Sequence, residues 1–211
     1  MDPQAIEEES MKIILSELKE RGLLDLIPDE QRHVVTRVIH STADFDFASS
    51  LVFSEDVMSA AYKMLKSSPV FITDTNMIAS GINKAALSKV SGTVRCYMSD
   101  PDVAEEALSR SETRAAVSME RAARETPNAA FVIGNAPTAL LRLCRLVEEG
   151  TASPSLVVGV PVGFVNVIES KEALMSLAGV PRVVSTGPKG GSTVAVAIVN
   201  AILYGWLGRE R

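Results

Sequence analysis

The sequence predicts a three-layer α/β/α sandwich with a mainly parallel sheet of about five strands. Short runs of β-branched residues alternate along the chain with segments whose apolar residues recur at helical spacing. Strands joined by helical crossovers pair in parallel, and the helices cover both faces of the sheet. Because 211 residues, 46% of them hydrophobic, suffice for one sizeable core, we expect a single domain spanning residues 1–211.

The helical patterns begin at the amino terminus. Apolar residues recur over residues 4–22 until Gly22, and a second helix over 29–40 has one valine-rich face and ends at His40. A third helix opens at Ser54 and runs to about Lys66. Further helices are predicted over residues 75–81, 101–109, 113–125, 137–149, 170–178 and 191–207, and strands over 70–73, 93–98, 130–133, 156–160 and 182–185.

Composition argues against several classes of protein. A net charge of -5 offers no broad cationic surface for nucleic acid. Cys96 and Cys144 lack the spacing of metal ligands, so we expect no metal site and two thiols in a reducing compartment. The acidic amino terminus does not resemble a signal peptide, and the apolar run over residues 156–168 is too short to span a bilayer. We therefore expect a cytoplasmic protein that binds neither membrane nor nucleic acid.

The predicted strand ends are rich in Gly, Ser, Thr and Asn. In parallel sheets the ligand crevice lies at the carboxyl ends of the strands. The loops there span residues 73–76, 134–138, 159–163 and 185–192. Their amides suit an anionic ligand, although the glycines equally suit tight strand-to-helix turns. Lys189 precedes the glycine pair instead of following it, so a Walker-type loop is not supported, and a nucleotide-dependent enzyme stays a secondary alternative.

His33 and His40 are the only histidines and so the only imidazoles available for proton transfer near neutral pH. His33 lies beside Gln31 and Arg32 on the charged side of its helix, where we expect it to face solvent. His40 ends the helix, and from the residues alone it either binds the last carbonyls or acts in catalysis. Arg114 begins a helix among small residues, so its guanidinium either binds a ligand carboxylate or pairs with Glu112 or Asp100.

Four segments together resemble the precorrin-8X methylmutase family, over about residues 8–204. They are Arg-Val-Ile-His at 37–40 with Asp44-Phe45 beyond it, Ile-Gly-Asn-Ala-Pro-Thr-Ala-Leu at 133–140, Gly-Val-Pro-Val-Gly-Phe-Val at 159–165, and the glycine-rich stretch 187–192. The resemblance implies a three-layer α/β homodimer with active sites near the subunit interface. It also implies an isomerase of cobalamin biosynthesis that moves a methyl group from carbon 11 to carbon 12 of a tetrapyrrole, with or without cobalt in the ring, and that consumes no cofactor.

The resemblance also implies roles for individual residues. His40 corresponds to the family's histidine and is the expected proton donor, and Arg114 corresponds to its arginine. Ser10, Gly81 and Asn83 fall on further substrate-binding positions, the last where the family often has Thr. We add Thr186, Gly190 and Gly191, whose amides and hydroxyl would bind the substrate's carboxylates. A noncatalytic corrinoid carrier with the same pocket remains the alternative.

Overall fold

The computed structural model describes residues 3–208 and contains a six-stranded sheet. The strands are β1 (Leu51–Phe53), β2 (Val70–Thr73), β3 (Thr93–Arg95), β4 (Ala130–Ile133), β5 (Leu156–Gly159) and β6 (Arg182–Ser185). Their order across the sheet is β1-β6-β5-β4-β2-β3, and all neighbours pair in parallel except β1, which runs antiparallel to β6. The predicted mainly parallel sheet is thus confirmed, with β1 as an additional edge strand.

Eleven α-helices lie within the described residues. They are α1 (Pro3–Glu20), α2 (Asp29–Thr42), α3 (Phe47–Ser50), α4 (Val57–Leu65), α5 (Asn76–Gly81), α6 (Lys84–Lys89), α7 (Pro101–Ser109), α8 (Arg114–Glu125), α9 (Pro137–Glu148), α10 (Val167–Ser176) and α11 (Ser192–Trp206). The short helices α3 and α6 were not predicted. Among residues 3–208, no helix is both long and apolar enough to cross a membrane.

The helices form a layer on each face of the sheet. Side chains alternate along the strands, so that Val132 of β4 packs with α2, α5 and α11, whereas Phe131 and Ile133 pack with α8 and α9 on the other face. Helix α11 contacts both α2 and the central strands, which places α2 outside it. The three-layer α/β/α architecture is therefore confirmed.

The helix starts near the strand ends are defined by local sequence. Three helices begin with a side chain that caps them. The side-chain oxygens of Thr75, Asn83 and Thr113 accept hydrogen bonds from backbone N–H groups in the first turns of α5, α6 and α8, respectively. Proline opens α7 and α9, where its missing N–H costs no hydrogen bond. Helix α2 ends at Ala43, which adopts the left-handed conformation and turns the chain back toward the sheet.

Candidate active site

His40 lies in the last turn of α2 with its side chain exposed. The segment after α2 is tied to the loop after β6, because Lys189 Nζ pairs with Asp44 Oδ2 at 2.7 Å and Asp46 Oδ2 at 2.6 Å. This double ion pair places the end of the His40 helix at the carboxyl edge of the sheet. His40 therefore lies on the side of the molecule where a ligand crevice is expected.

A buried lysine donates hydrogen bonds to the backbone of the loop after β6. Lys171 is 1% exposed, and its Nζ donates to the carbonyl oxygens of Gly187 at 2.7 Å and Lys189 at 2.8 Å. Burial lowers the pKa of Lys171 to about 8. The Lys189 carbonyl also accepts the Ser185 hydroxyl at 2.9 Å. These three hydrogen bonds restrain the backbone of the loop from inside the protein.

Gly190 and Gly191 bring the same loop against the exit of β5. A Cβ on Gly190 would collide with the Val160 carbonyl oxygen. Gly191 donates its N–H to that oxygen at 2.9 Å and has φ +125°, which side chains rarely tolerate. These contacts give both glycines a structural role at the rim. Thr186 directs its N–H and its hydroxyl to the Ser50 carbonyl, at 2.7 and 3.3 Å.

A second group of predicted residues meets around Asn83. Its Nδ2 donates to Tyr204 Oη at 2.8 Å and its Oδ1 accepts the Ala86 amide at 2.9 Å, so both ends of the carboxamide are engaged. Asn200 accepts the Asn83 N–H at 2.8 Å and donates to the Gly81 carbonyl at 3.1 Å. Gly81 ends α5 and Asn83 begins α6, so the two positions lie at a helix-helix corner beside α11.

Arg37 connects this corner to α1 and to His40. Its Nη2 pairs with Glu7 Oε1 at 2.7 Å, and its guanidinium lies 5.5 Å from the centre of the Tyr204 ring. Ser10 follows Glu7 by three residues on α1, and its hydroxyl bonds the Ile6 carbonyl at 2.8 Å. His40 follows Arg37 by three residues on α2, so it shares that helix face. Contacts among Glu7, Arg37, Tyr204 and Asn83 thus link the helices that carry Ser10 and His40 to the Asn83 corner.

Arg114 is exposed at the start of α8 and makes no ion pair or hydrogen bond through its guanidinium to any described residue. The salt bridges considered for it do not form, because Glu112 pairs with Arg142 at 2.6 Å and Asp100 with Arg121 at 3.2 Å. The hydroxyls of Thr113 and Thr138 are 3.0 Å apart, which joins the starts of α8 and α9. Arg114 therefore presents a free cation at the carboxyl end of β4.

The expectation that His33 faces solvent is wrong. The side chain is partly buried between α4 and α11, with Nε2 3.4 Å from Tyr62 Oη. A Cβ placed on Gly205 would lie 2.8 Å from the same nitrogen, so α11 approaches closely. Burial lowers the pKa of His33. Packing between helices, which sequence neighbours do not reveal, determines this environment.

Asp74 lies in the strand-end loop 73–76, and no individual role is predicted for it from the sequence. It follows β2 directly, is completely buried, and accepts the backbone N–H groups of Gly134, Asn135 and Ala136 at 3.0, 2.8 and 2.7 Å. Burial raises the pKa of the carboxyl group, and the three amides oppose that rise. The one local signal was an acid directly after the strand Val-Phe-Ile-Thr, which does not indicate its distant backbone partners.

An apolar loop completes the rim between β5 and α10. Phe164 is 97% exposed, and Val162, Val165 and Ile168 are also exposed. The Gly163 N–H donates to the Pro188 carbonyl at 3.4 Å, so this loop lies beside the glycine loop after β6. Exposed apolar side chains in a contiguous segment indicate a surface that another apolar surface covers.

Two clefts of about 380 and 180 Å³ open at the other edge of the sheet. The larger is lined by residues 54–56 and 177–182, and the smaller by residues of the segments before β2, β4 and β5. None of the predicted site residues lines either cleft. They are therefore separate from the region around His40.

Comparison with known proteins identifies the family. The model of the precorrin-8X methylmutase family matches residues 5–205, which is nearly the whole chain. The chain belongs to the precorrin-8X methylmutase family. This family consists of isomerases of cobalamin biosynthesis, so this chain is an enzyme of the intramolecular transferase class, and the noncatalytic carrier is not favoured.

Individual relatives are similar to this chain over most of their length. A cobalt-precorrin-8 methylmutase of Priestia megaterium is 46% identical over 202 residues, covering 96% of this chain and 88% of the relative. That of Salmonella typhimurium is 45% identical and covers 96% and 95%. A crystal structure of precorrin-8x methyl mutase from Thermus thermophilus superposes with a TM-score of 0.87 at 37% identity, covering 98% of each chain.

Proposed function

We propose that this methylmutase acts on cobalt-precorrin-8 and moves its methyl group from carbon 11 to carbon 12. The observation that carries the choice of substrate is a difference in sequence identity: relatives named for the cobalt-containing substrate are more similar to this chain than those named for the cobalt-free one. Those named cobalt-precorrin-8 methylmutase are 38–46% identical to this chain. Those named precorrin-8X methylmutase, the Thermus thermophilus structure included, are 32–37% identical. Because the cobalt is part of the substrate, it needs no ligand from the protein and no resident cofactor is required.

His40 donates a proton to the conjugated ring in the proposed mechanism. The methyl shift is a sigmatropic rearrangement, so the enzyme supplies neither a nucleophile nor a redox centre; it binds, protonates and orients the ring. Protonation of the ring periphery draws electron density toward the conjugated product and lowers the barrier. The exposed position of His40 at the carboxyl edge supports this role, and His33 is partly buried elsewhere on α2.

The substrate's carboxylates are bound by groups around this edge. Arg114 is the strongest anchor, since its guanidinium has no internal partner among the described residues and forms a bidentate fork for a carboxylate. Ser10, Asn83 and Thr186 each exchange an internal hydrogen bond for one to substrate. Gly81, Gly190 and Gly191 contribute close backbone approach, and the exposed Phe164 loop covers a face of the macrocycle.

A cytoplasmic homodimer built from single-domain chains completes the proposal. The two cysteines remain unpaired thiols, in keeping with a reducing compartment. The exposed apolar loop containing Phe164 and Val165 would be covered by substrate and by the second subunit together. A site near the subunit interface then encloses a ligand that one chain leaves open on one side.

The test is an anaerobic incubation of purified protein with cobalt-precorrin-8 and, separately, with cobalt-free precorrin-8X. The methyl shift lengthens the conjugated system, so conversion appears as a change in the ultraviolet-visible spectrum. We expect conversion of both substrates, with the larger kcat/KM for the cobalt form. A larger kcat/KM for precorrin-8X would overturn the substrate preference. Binding without spectral conversion of either compound would overturn the isomerase proposal.

A further inference from the structure

The topology of the sheet marks one position where a ligand crevice should lie. Strands β2 and β4 are neighbours, but the chain leaves β2 to α5 and α6 on one face and leaves β4 to α9 on the other. Adjacent parallel strands whose connections go to opposite faces form a topological switch point, and ligands bind beyond its carboxyl ends. The residues there are Asp74 after β2 and the segment 134–136 after β4.

Asp74 closes the base of this crevice. Its Oδ1 accepts the Gly134 N–H, and its Oδ2 accepts the N–H groups of Asn135 and Ala136. The Asp74 carboxylate thus accepts the backbone N–H groups that lead into α9. In a site without such a carboxylate, an anionic ligand could bind these N–H groups. Three bonds to three consecutive amides leave that backbone little freedom.

The side chain of Asn135 takes no part in these hydrogen bonds. It is exposed and makes no hydrogen bond or ion pair with any residue from 3 to 208. Gly134 on one side lies against the start of α11, since a Cβ there would be 3.0 Å from the Gly191 carbonyl oxygen. Thr138 on the other side bonds Thr113, next to Arg114. Asn135 therefore lies on the rim between the Gly191 loop and the Arg114 guanidinium.

We propose that Asn135 contacts the substrate directly, its carboxamide donating to a carboxylate of the tetrapyrrole, and that Asp74 is the positioning residue that aims it. This inference rests on the proposed function, because the ligand is the substrate of the methylmutase. The carboxamide can bind without losing an internal hydrogen bond. Asp74 provides the rigidity, since its bonds fix the backbone on both sides of the Asn135 Cα.

The first test is the affinity of Asn135→Ala for cobalt-precorrin-8 and for the methyl-shifted product, measured by absorbance titration. Loss of one hydrogen bond to a charged group should weaken binding by about tenfold or more. Asn128→Ala is the matched control, because that exposed asparagine precedes β4 at the opposite edge of the sheet. Wild-type affinity in Asn135→Ala would overturn the contact. Absence of binding and conversion by wild type would instead count against the proposed function.

The second test separates positioning by Asp74 from a purely structural role. Asp74→Asn turns one acceptor into a donor that faces backbone N–H groups, and we expect it to weaken substrate binding. In the Asp74→Asn/Asn135→Ala double variant, the loss of substrate affinity should be much smaller than the sum of the two single losses. Asp74→Asn acts by displacing the Asn135 carboxamide, and the double variant no longer has that carboxamide. Additive losses would overturn the positioning role. If Asp74→Asn fails to fold, the same cycle is run with Asp74→Glu, and the Asn135→Ala result stands on its own.

Discussion

The two histidines of α2 lie in different surroundings although only seven positions separate them. His40 is exposed at the last turn, whereas His33 packs between Tyr62 and the backbone of Gly205. Burial disfavours the charged imidazolium at His33 and lowers its pKa. The same helix therefore carries one exposed imidazole, to which we assign the proton transfer, and one that is packed between helices.

Replacement of His33 should flatten the dependence of stability on pH. Because the pKa of His33 is lowered in the folded protein, the unfolded chain binds more protons as pH falls below about 6.5, so stability is lost on acidification. Urea unfolding of wild type should give a lower free energy at pH 5.5 than at pH 7.5. His33→Gln should reduce that difference, whereas His40→Gln, a change at an exposed site, serves as control. An unchanged difference in His33→Gln would contradict the assignment.

Arg114→Ala should weaken substrate binding without affecting the fold. Its guanidinium has no internal partner in the described part of the chain, so removal costs no intramolecular bond but loses charge-assisted bonds to substrate. We expect the dissociation constant to rise at least about tenfold, with unchanged unfolding by urea. Arg124→Ala, at the other end of α8, is the control and should bind normally. Equal affinities in the two variants would remove Arg114 from the site.

At the level of single residues, the sequence was most informative for residue types that occur only a few times in the chain. Two histidines in the chain restricted the proton donor to His33 or His40, and the family resemblance selected between them. The role of Asp74 was not predictable, because its partners lie 60 to 62 positions away and are backbone amides. No local pattern indicates that a carboxylate will bind such distant amides.

Among the elements, three helices on one face are joined by a single carboxylate. Glu120 of α8 accepts Arg110 Nη1 and Nη2 at 2.5 and 2.9 Å, and it pairs with Arg142 Nη1 of α9 at 2.7 Å. Arg110 follows α7 directly. The side chain of Glu120 is only 10% exposed, so its bonds are little weakened by solvent.

Glu120→Gln should therefore lower the free energy of unfolding by about 1–3 kcal/mol, the cost of unsatisfied, partly buried hydrogen-bonding groups. Glu106→Gln is the matched control, because Glu106 pairs with the same Arg110. Its side chain is 37% exposed, and it precedes Arg110 by only four residues. That change should cost about 0.5 kcal/mol or less. Urea denaturation of both variants measures the difference, and similar losses would show that burial does not strengthen the Glu120 cluster.

Short elements account for the main differences between the predicted and observed fold. The buried strands were predictable because a short, continuous run of apolar residues is typical of a strand that is covered on both faces, as at β4 and β5. Strand β1 has three residues and α6 has six, but shortness alone does not explain why they were not predicted, because β3 and α5 are equally short and were. Pairing with β6 across more than 100 positions stabilises β1, and no window of sequence contains that information.

The whole molecule should unfold as one unit and in a concentration-dependent way, if residues 1–211 form one domain that dimerises. Loss of helix followed by circular dichroism and loss of the Trp206 environment followed by fluorescence should then coincide. Because a dimer dissociates on unfolding, the midpoint should rise with protein concentration. Two separate transitions would contradict the single domain, and a constant midpoint with a monomeric mass in light scattering would contradict the dimer.

In the proposed mechanism, His40 supplies the proton for the methyl shift. Its most direct test is single-turnover conversion of cobalt-precorrin-8, followed by absorbance, for wild type, His40→Ala and His33→Gln. We predict that His40→Ala binds substrate but converts it at least about a hundredfold more slowly, the contribution expected of a general acid, while His33→Gln converts it normally. Conversion by His40→Ala at the wild-type rate would show that His40 does not supply this proton.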